Sequence, residues 1–173
     1  MNKPWITEEY AALNRQLHET NAGYGAGGHR YAPTIMGAVT AFGAKTVLDF
    51  GCGQDTLATV LRANGIDARS YDPAIPGKDA TPEPADIVVS TDVAEHVETE
   101  CVDAYLDELQ RLTQKMLFLV VATRPAKKVL SNGQNAHISN YPLEWWLPKL
   151  TARFQMSQLI ASAGEFTFVG EPK

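Results

Sequence analysis

Residues 47–61, VLDFGCGQDTLATVL, decide the fold. The stretch starts as an apolar strand, turns on glycines and enters a helical pattern near Thr56. Asp49 sits near the strand end, and Gly51 and Gly53 occupy the turn. A second short strand, ARSYD, ends in Asp72, 23 residues beyond Asp49. Two glycines let a ligand come up against the backbone, and an acid at the next strand end accepts ribose hydroxyls. The pattern is that of a nucleoside-binding crevice. Gln54 and Asp55 argue against a dinucleotide, since a carboxylate at the helix start repels pyrophosphate.

Outward from this stretch the chain alternates strand and helix. Strands are expected at 46–50, 68–72, 86–90 and 116–122, and helices at 56–64 and 99–114. DIVVS (86–90) and MLFLVVAT (116–123) are nearly continuous apolar runs, as suits parallel strands covered on both faces. In the second helix Val102, Tyr105, Leu106, Leu109 and Leu112 recur at helical spacing. LEWWLPKL (143–150) suggests a short helix, and 154–171 two strands joined around Ser162–Gly164. Upstream, Thr7 caps an amphipathic helix over 7–19, with Tyr10, Leu13 and Leu17 on one face. The glycine-rich stretch 21–33, NAGYGAGGHRYAP, cannot hold a helix and reads as a link or a lid. Pro33 opens a further helix to about Phe42, with Ile35, Met36, Val39 and Phe42 inward, and Gly43 ends it.

At 173 residues one domain is expected: a helical cap and lid over 1–43 and a core over 44–169. No apolar run approaches the roughly 20 residues of a membrane span, and MNKPWITEEY has no signal-peptide core. Two cysteines, Cys52 and Cys101, make neither a disulfide framework nor a metal pair, so a cytoplasmic location is expected. A net charge of −5 disfavours a large nucleic-acid surface. Arg124, Lys127 and Lys128 form the one compact basic group.

Asp49, Gly51 and Gly53, the acid at Asp72 and the segment STDVAEHV (90–97) together resemble the class I S-adenosylmethionine-dependent methyltransferases, in particular small UbiE/UbiG-like domains. The resemblance implies an α/β Rossmann-like three-layer sandwich, its mostly parallel sheet closed by a C-terminal antiparallel hairpin. Only 13 residues, rich in proline, separate Asp72 from Asp86, where that fold places a helix, an edge strand and a second helix. The sheet is therefore expected to be shortened after its second strand. The implied cofactor is S-adenosyl-L-methionine, and the implied cofactor-binding residues are Tyr24, Asp49, Gly51, Cys52, Gly53, Asp72, Pro73, Thr91, Asp92 and Val93. His29 is an alternative to Tyr24 as the group folding over the cofactor, and Cys52 is expected to act as a small apolar group under the turn.

Asp92 falls where the sulfonium and the methyl acceptor meet, and His96 and His137 are candidate bases. The segment after the fifth family strand is dense in polar and aromatic groups, making Arg124, Asn135, His137, Tyr141 and Trp145 the acceptor-pocket candidates, whereas Trp146 is expected in the core. Glu95, His96 and His137 offer a pair plus one more ligand, but no compact ligand motif joins them, and no metal is expected. The expected acceptor is a small molecule or a nucleotide. RNA or a modified base is the alternative, although the motifs of amino-directed and cytosine-C5 DNA methyltransferases are absent. A non-catalytic cofactor-binding protein completed by a partner chain, a dehydrogenase and an enzyme that cleaves its cofactor are the rival readings.

Overall fold

The computed structural model describes residues 5–21 and 23–173, so the first four residues of the expected cap lie outside the described residues. Six strands form one sheet: β1 (Thr46–Phe50), β2 (Asp67–Tyr71), β3 (Ala85–Thr91), β4 (Thr113–Ala122), β5 (Phe154–Ser162) and β6 (Glu165–Pro172). Their order is β2-β1-β3-β4-β6-β5. The first four run parallel, and β6 and β5 close the sheet antiparallel. β2 is an edge, and residues 73–84 make turns without helix or strand. The short proline-rich connection thus does what its length dictates: it crosses to β3 and adds no strand.

The apolar runs divide between two cores with a period of two, because successive side chains on a strand point to opposite faces. Val47, Ile87, Val89, Phe118 and Val120 pack with α2 (Ala32–Ala41) and α3 (Thr56–Ala63). Leu48, Phe50, Val88, Leu117, Leu119 and Val121 pack with α4 (Val102–Leu112) and α5 (Leu143–Arg153). Trp146 is fully buried in the second core, as its sequence suggested. Phe42 is not inward: α2 stops at Ala41, Gly43 turns the chain at φ +54°, and Phe42 stays 37% exposed.

A third, smaller core positions the site. α1 (Glu8–Thr20) begins on Thr7, whose hydroxyl accepts from the Tyr10 N–H. Its apolar face covers the long segment after β4 rather than the sheet: Tyr10 packs with Leu130 and Ala136, flanked by Leu13, Leu17 and Ile138. The Tyr10 hydroxyl donates to the Ala136 carbonyl at 3.1 Å. Glu98 receives both the N–H and the hydroxyl of Thr7. The N-terminal cap and the post-β4 segment are thereby tied over the carboxyl ends of the strands. No helix among the described residues is long and apolar enough to cross a membrane.

Candidate active site

A cleft of about 550 Å³ opens at the carboxyl ends of β1, β2 and β3, the place where ligands bind in open α/β sheets. One wall is the turn after β1. Gly51 holds φ +83°, and a Cβ there would lie 2.3 Å from the Val93 Cγ2. Gly53 holds φ +50°, and its Cβ would meet the Gly25 carbonyl at 2.6 Å. Both positions therefore need glycine for two reasons, a left-handed backbone and a close neighbour. Asp55 also adopts a left-handed conformation, and its carboxylate accepts from Ser70 and from Arg62.

Asp72, 6% exposed, stands at the end of β2 and braces this turn. One oxygen accepts from the Gly53 N–H and the other from the Ala74 N–H, each at 3.0 Å. Each oxygen keeps a lone pair for a ligand hydroxyl. Lys78 reaches over the same turn to the Gly53 carbonyl. Asp49 lies beneath, 4% exposed. Its burial, then the charges of Asp55 and Asp72, push its pKa up to about 7 against the pull of Lys78. An ammonium group brought to this point would be held by a carboxylate that otherwise keeps a proton near neutrality. Burial likewise pushes the Cys52 thiol well up, so Cys52 is a small apolar filler and not a nucleophile.

All of the residues expected to face a cofactor line the cleft: Tyr24, Asp49, Gly51, Cys52, Gly53, Asp72, Pro73, Thr91, Asp92 and Val93. The glycine-rich stretch supplies the roof, since the Gly25 carbonyl accepts from the Gln54 N–H at 3.0 Å and Gly27 and Gly28 also line the space. Arg30 bridges to Asp92 at 2.6 Å across the mouth. Burial raises the Asp92 pKa, and Arg30 opposes that rise. His29 is exposed, bonded to the Ala26 carbonyl, and outside the cleft lining.

The opposite wall is the segment after β4. Arg124, Lys127, Lys128 and His137 line it. The Arg124 guanidinium is already engaged by the Gly164 carbonyl and Glu165, whereas Lys128 lies over the Tyr24 ring, 5.6 Å from its centre. Three of the acceptor-pocket expectations resolve differently. Asn135 faces its own loop: its amide oxygen accepts from the Ala126 and His137 N–H groups, and its NH₂ donates to the Ala126 carbonyl. Tyr141 and Trp145 stack on each other at 4.0 Å, and Trp145 meets Trp146 edge to face, so the pair belongs to the margin of the second core. None of these three lines the cleft.

The two histidines meet. Their rings pack edge to face at 4.8 Å, with Glu95 behind them. The His137 Nδ1 faces the Arg124 carbonyl at 2.6 Å; as the donor there it leaves Nε2 with a free lone pair, 4.0 Å from the Glu95 Oε1. Burial lowers the His137 pKa. Burial and then His137 push His96 down to about 3, against the Ala136 carbonyl. Both rings are therefore neutral at pH 7. Glu95 is fully buried, and its pKa rises to about 8, from burial first and from Asp92 next.

Sequence reasoning missed the cleft residues that α1 and the stretch before it contribute, Trp5, Ile6, Asn14 and His18. Trp5 packs on Phe50 and Tyr71 at 5.1 and 5.7 Å. An amphipathic face shows that a helix packs but not on what, so no local signal placed them there.

Residues 15–162 match the model of a family described as a methyltransferase domain. The chain finds no match among curated proteins. Among solved structures it is similar to the 1,6-didemethyltoxoflavin N1-methyltransferase of Burkholderia thailandensis, bound to 1,6-didemethyltoxoflavin and S-adenosylhomocysteine. The TM-score is 0.68 at 15% identity, over 100% of this chain and 93% of that one. The N-methyltransferase NodS of Bradyrhizobium japonicum, with S-adenosylhomocysteine, gives a TM-score of 0.62 at 12% identity, over 94% and 98% of the two chains. The magnesium protoporphyrin IX methyltransferase of Synechocystis, also with S-adenosylhomocysteine, gives 0.60 at 15% identity, over 84% and 83%.

Proposed function

The chain belongs to the methyltransferase-domain family, and we propose that it is a class I S-adenosylmethionine-dependent methyltransferase whose acceptor is a small anionic molecule, a nucleotide included, methylated on oxygen or nitrogen. The observation that carries this reading is the continuity of the cleft. One cavity of about 550 Å³ joins the glycine turn and Asp72 to the wall of Lys127, Lys128 and His137. Its size falls within the roughly 300–1,000 Å³ of small-ligand pockets. The protein's net charge of −5 leaves no broad basic face for a long duplex, whereas two lysines at the mouth suit one phosphate or carboxylate. The similar structures from Burkholderia and Synechocystis also belong to enzymes named for small-molecule acceptors.

In this reading Asp72 takes the ribose hydroxyls, and the backbone at Gly51 and Gly53 lies along the methionine and ribose portions. Asp49 receives the cofactor ammonium. Thr91, Asp92 and Val93 flank the sulfonium, and Tyr24 with the glycine-rich roof shuts out water. The acceptor enters from the Lys127–Lys128 side and attacks the methyl carbon. The carbon–sulfur bond breaks with its electron pair going to sulfur, and S-adenosylhomocysteine leaves. The enzyme mainly aligns the two reactants. His137, neutral and with a free Nε2, is the group placed to take a proton from a hydroxyl or amine acceptor; His96, held near pKa 3, is the weaker base.

The test is a screen of small phosphorylated and carboxylated acceptors with methyl-labelled cofactor. Transfer that is reduced at least about tenfold in kcat/KM by Lys127→Ala together with Lys128→Ala, with cofactor affinity kept, supports the reading. Transfer only to RNA or to protein overturns the acceptor class.

A further inference from the structure

We propose that Glu95, His96 and His137 form a site for one divalent transition-metal ion in the wall of the cleft. The three side chains come from two separate segments, and each places a ligand atom within 4.8 Å of the others. Glu95 is fully buried, and neither carboxylate oxygen has a well-formed hydrogen bond among the described residues; the N–H groups of Glu95 and Ala122 draw on it only weakly, and burial still holds its pKa up. Buried carboxylates are ordinarily paired, hydrogen-bonded or bound to a metal, because leaving one without partners is costly. Among the described residues no cation pairs with Glu95 directly: Arg30 is taken by Asp92, and Arg124, whose charge reaches Glu95, is bonded to Gly164 and Glu165.

Proton bookkeeping leaves each imidazole one nitrogen with a free lone pair. The Arg124 carbonyl fixes the His137 proton on Nδ1 and leaves Nε2 free on the Glu95 side. The Asn14 NH₂ donates to the Tyr10 carbonyl, so its oxygen accepts the Tyr24 hydroxyl proton at 3.1 Å. Tyr24 then has only acceptor capacity for the His96 Nδ1 at 3.4 Å, and the Ala136 carbonyl is a second acceptor beside this ring, so the neutral imidazole gives its one N–H to these neighbours and keeps one lone pair. Metal-binding histidines are oriented in this way, by donating the other N–H to a neighbour. The supporting frame is also in place. The Ser139 N–H donates to the Glu95 carbonyl at 3.0 Å and its hydroxyl to the Val97 carbonyl at 2.5 Å, clamping the two ligand segments together.

Tetrahedral bonds of about 2.1 Å put ligand atoms roughly 3.4 Å apart, so the side chains close by about an ångström around an ion. Two imidazoles and one carboxylate suit zinc, cobalt or iron(II) over magnesium, which prefers oxygen. Three protein ligands leave a position open to the cleft, the arrangement of a catalytic site rather than a closed structural one. This role rests on the methyltransferase reading above. An acceptor hydroxyl bound at the open position loses its proton to water, because the ion lowers its pKa. The resulting oxyanion attacks the methyl carbon, and sulfur keeps the carbon–sulfur electron pair. With the ion bound, the His137 Nε2 is occupied, and its role as proton acceptor belongs to the ion-free protein.

The test uses untagged, chelator-treated full-length protein titrated with Co²⁺ and followed by the visible ligand-field spectrum. One Co²⁺ per chain is expected, displaced by Zn²⁺ and not by Mg²⁺. Glu95→Gln and His137→Ala should each weaken Co²⁺ binding at least about 100-fold, since even partners outside the coordination sphere are worth about 10–100-fold. S-adenosylhomocysteine affinity, measured by calorimetry, should stay within about twofold in both variants and report that they are folded. No saturable spectrum in the wild-type protein, or the same spectrum in His137→Ala, overturns the site. Cobalt binding as expected but no S-adenosylhomocysteine binding would leave the metal site standing and remove the functional reading.

Discussion

The wall running from Asp49 to Asp72 is held largely by backbone groups, whereas the wall from Arg124 to His137 is held by side chains reaching across the molecule. In the first, parallel strands fix Asp49 and Asp72 at adjacent ends, and Asp72 closes on Gly53 of the turn. In the second, Asn135 staples the loop, Tyr10 comes from α1, and Ser139 ties the loop to the turn after β3. The difference teaches where specificity can change. The strand-end wall admits few substitutions because its geometry is the fold itself. The loop wall can be rebuilt one contact at a time, which suits the acceptor side proposed for it.

The contrast is broken most severely at Gly51. Gly51→Ala drives a Cβ to 2.3 Å from Val93 at φ +83°, and S-adenosylhomocysteine affinity should fall at least about 100-fold, or about 2.7 kcal/mol, by calorimetry. Adding Val93→Ala relieves the clash but not the backbone strain, so only part of the affinity should return. Full affinity in folded Gly51→Ala would show that the turn is not a ligand surface.

Asp72→Ala removes the carboxylate that braces Gly53 and Ala74, and should weaken cofactor binding about 10–100-fold, on the scale of about 1.5–3 kcal/mol for hydrogen bonds to a charged group. The counterpart on the other wall is Asn135→Ala. It loses three loop contacts and should raise the acceptor KM several-fold at about 1–3 kcal/mol of stability, with cofactor affinity unchanged. Loss of cofactor binding in Asn135→Ala would mean that the two walls do not act separately.

A pH dependence is set by Asp49. Its folded pKa of about 7 lies above the ordinary aspartate value of 3.8, so between those values the folded chain holds a proton that the unfolded chain has lost. The free protein therefore loses stability as pH rises through that window. A cofactor ammonium favours the charged carboxylate, so binding should release a proton near neutrality and strengthen up to about tenfold from pH 6 to pH 8. Calorimetry in buffers of different ionisation enthalpy reads the proton directly. Asp49→Asn should abolish the release.

Much of the strand-end wall was legible because its signals are local. The apolar runs alternate between two cores, the positive-φ turn demands glycine, and a 13-residue link cannot build another strand and its helices. The loop wall was legible only in composition. Polar and aromatic density around 122–146 pointed to the segment as a whole but could not separate Lys128, which lines the cleft, from Asn135, which bonds its own loop. Tyr141 and Trp145 look the same in sequence whether they stack on a ligand or on each other. The partner of α1, and the meeting of Glu95 and His96 with His137, are long-range contacts that no spacing encodes.

The most direct measurement is calorimetric titration of the purified chain with S-adenosylhomocysteine, run beside NAD. One equivalent bound with micromolar affinity, weakened by Asp72→Ala and with no heat from NAD, is the predicted result. Binding of NAD, or no binding of S-adenosylhomocysteine by a folded protein, would contradict the assignment of the cleft.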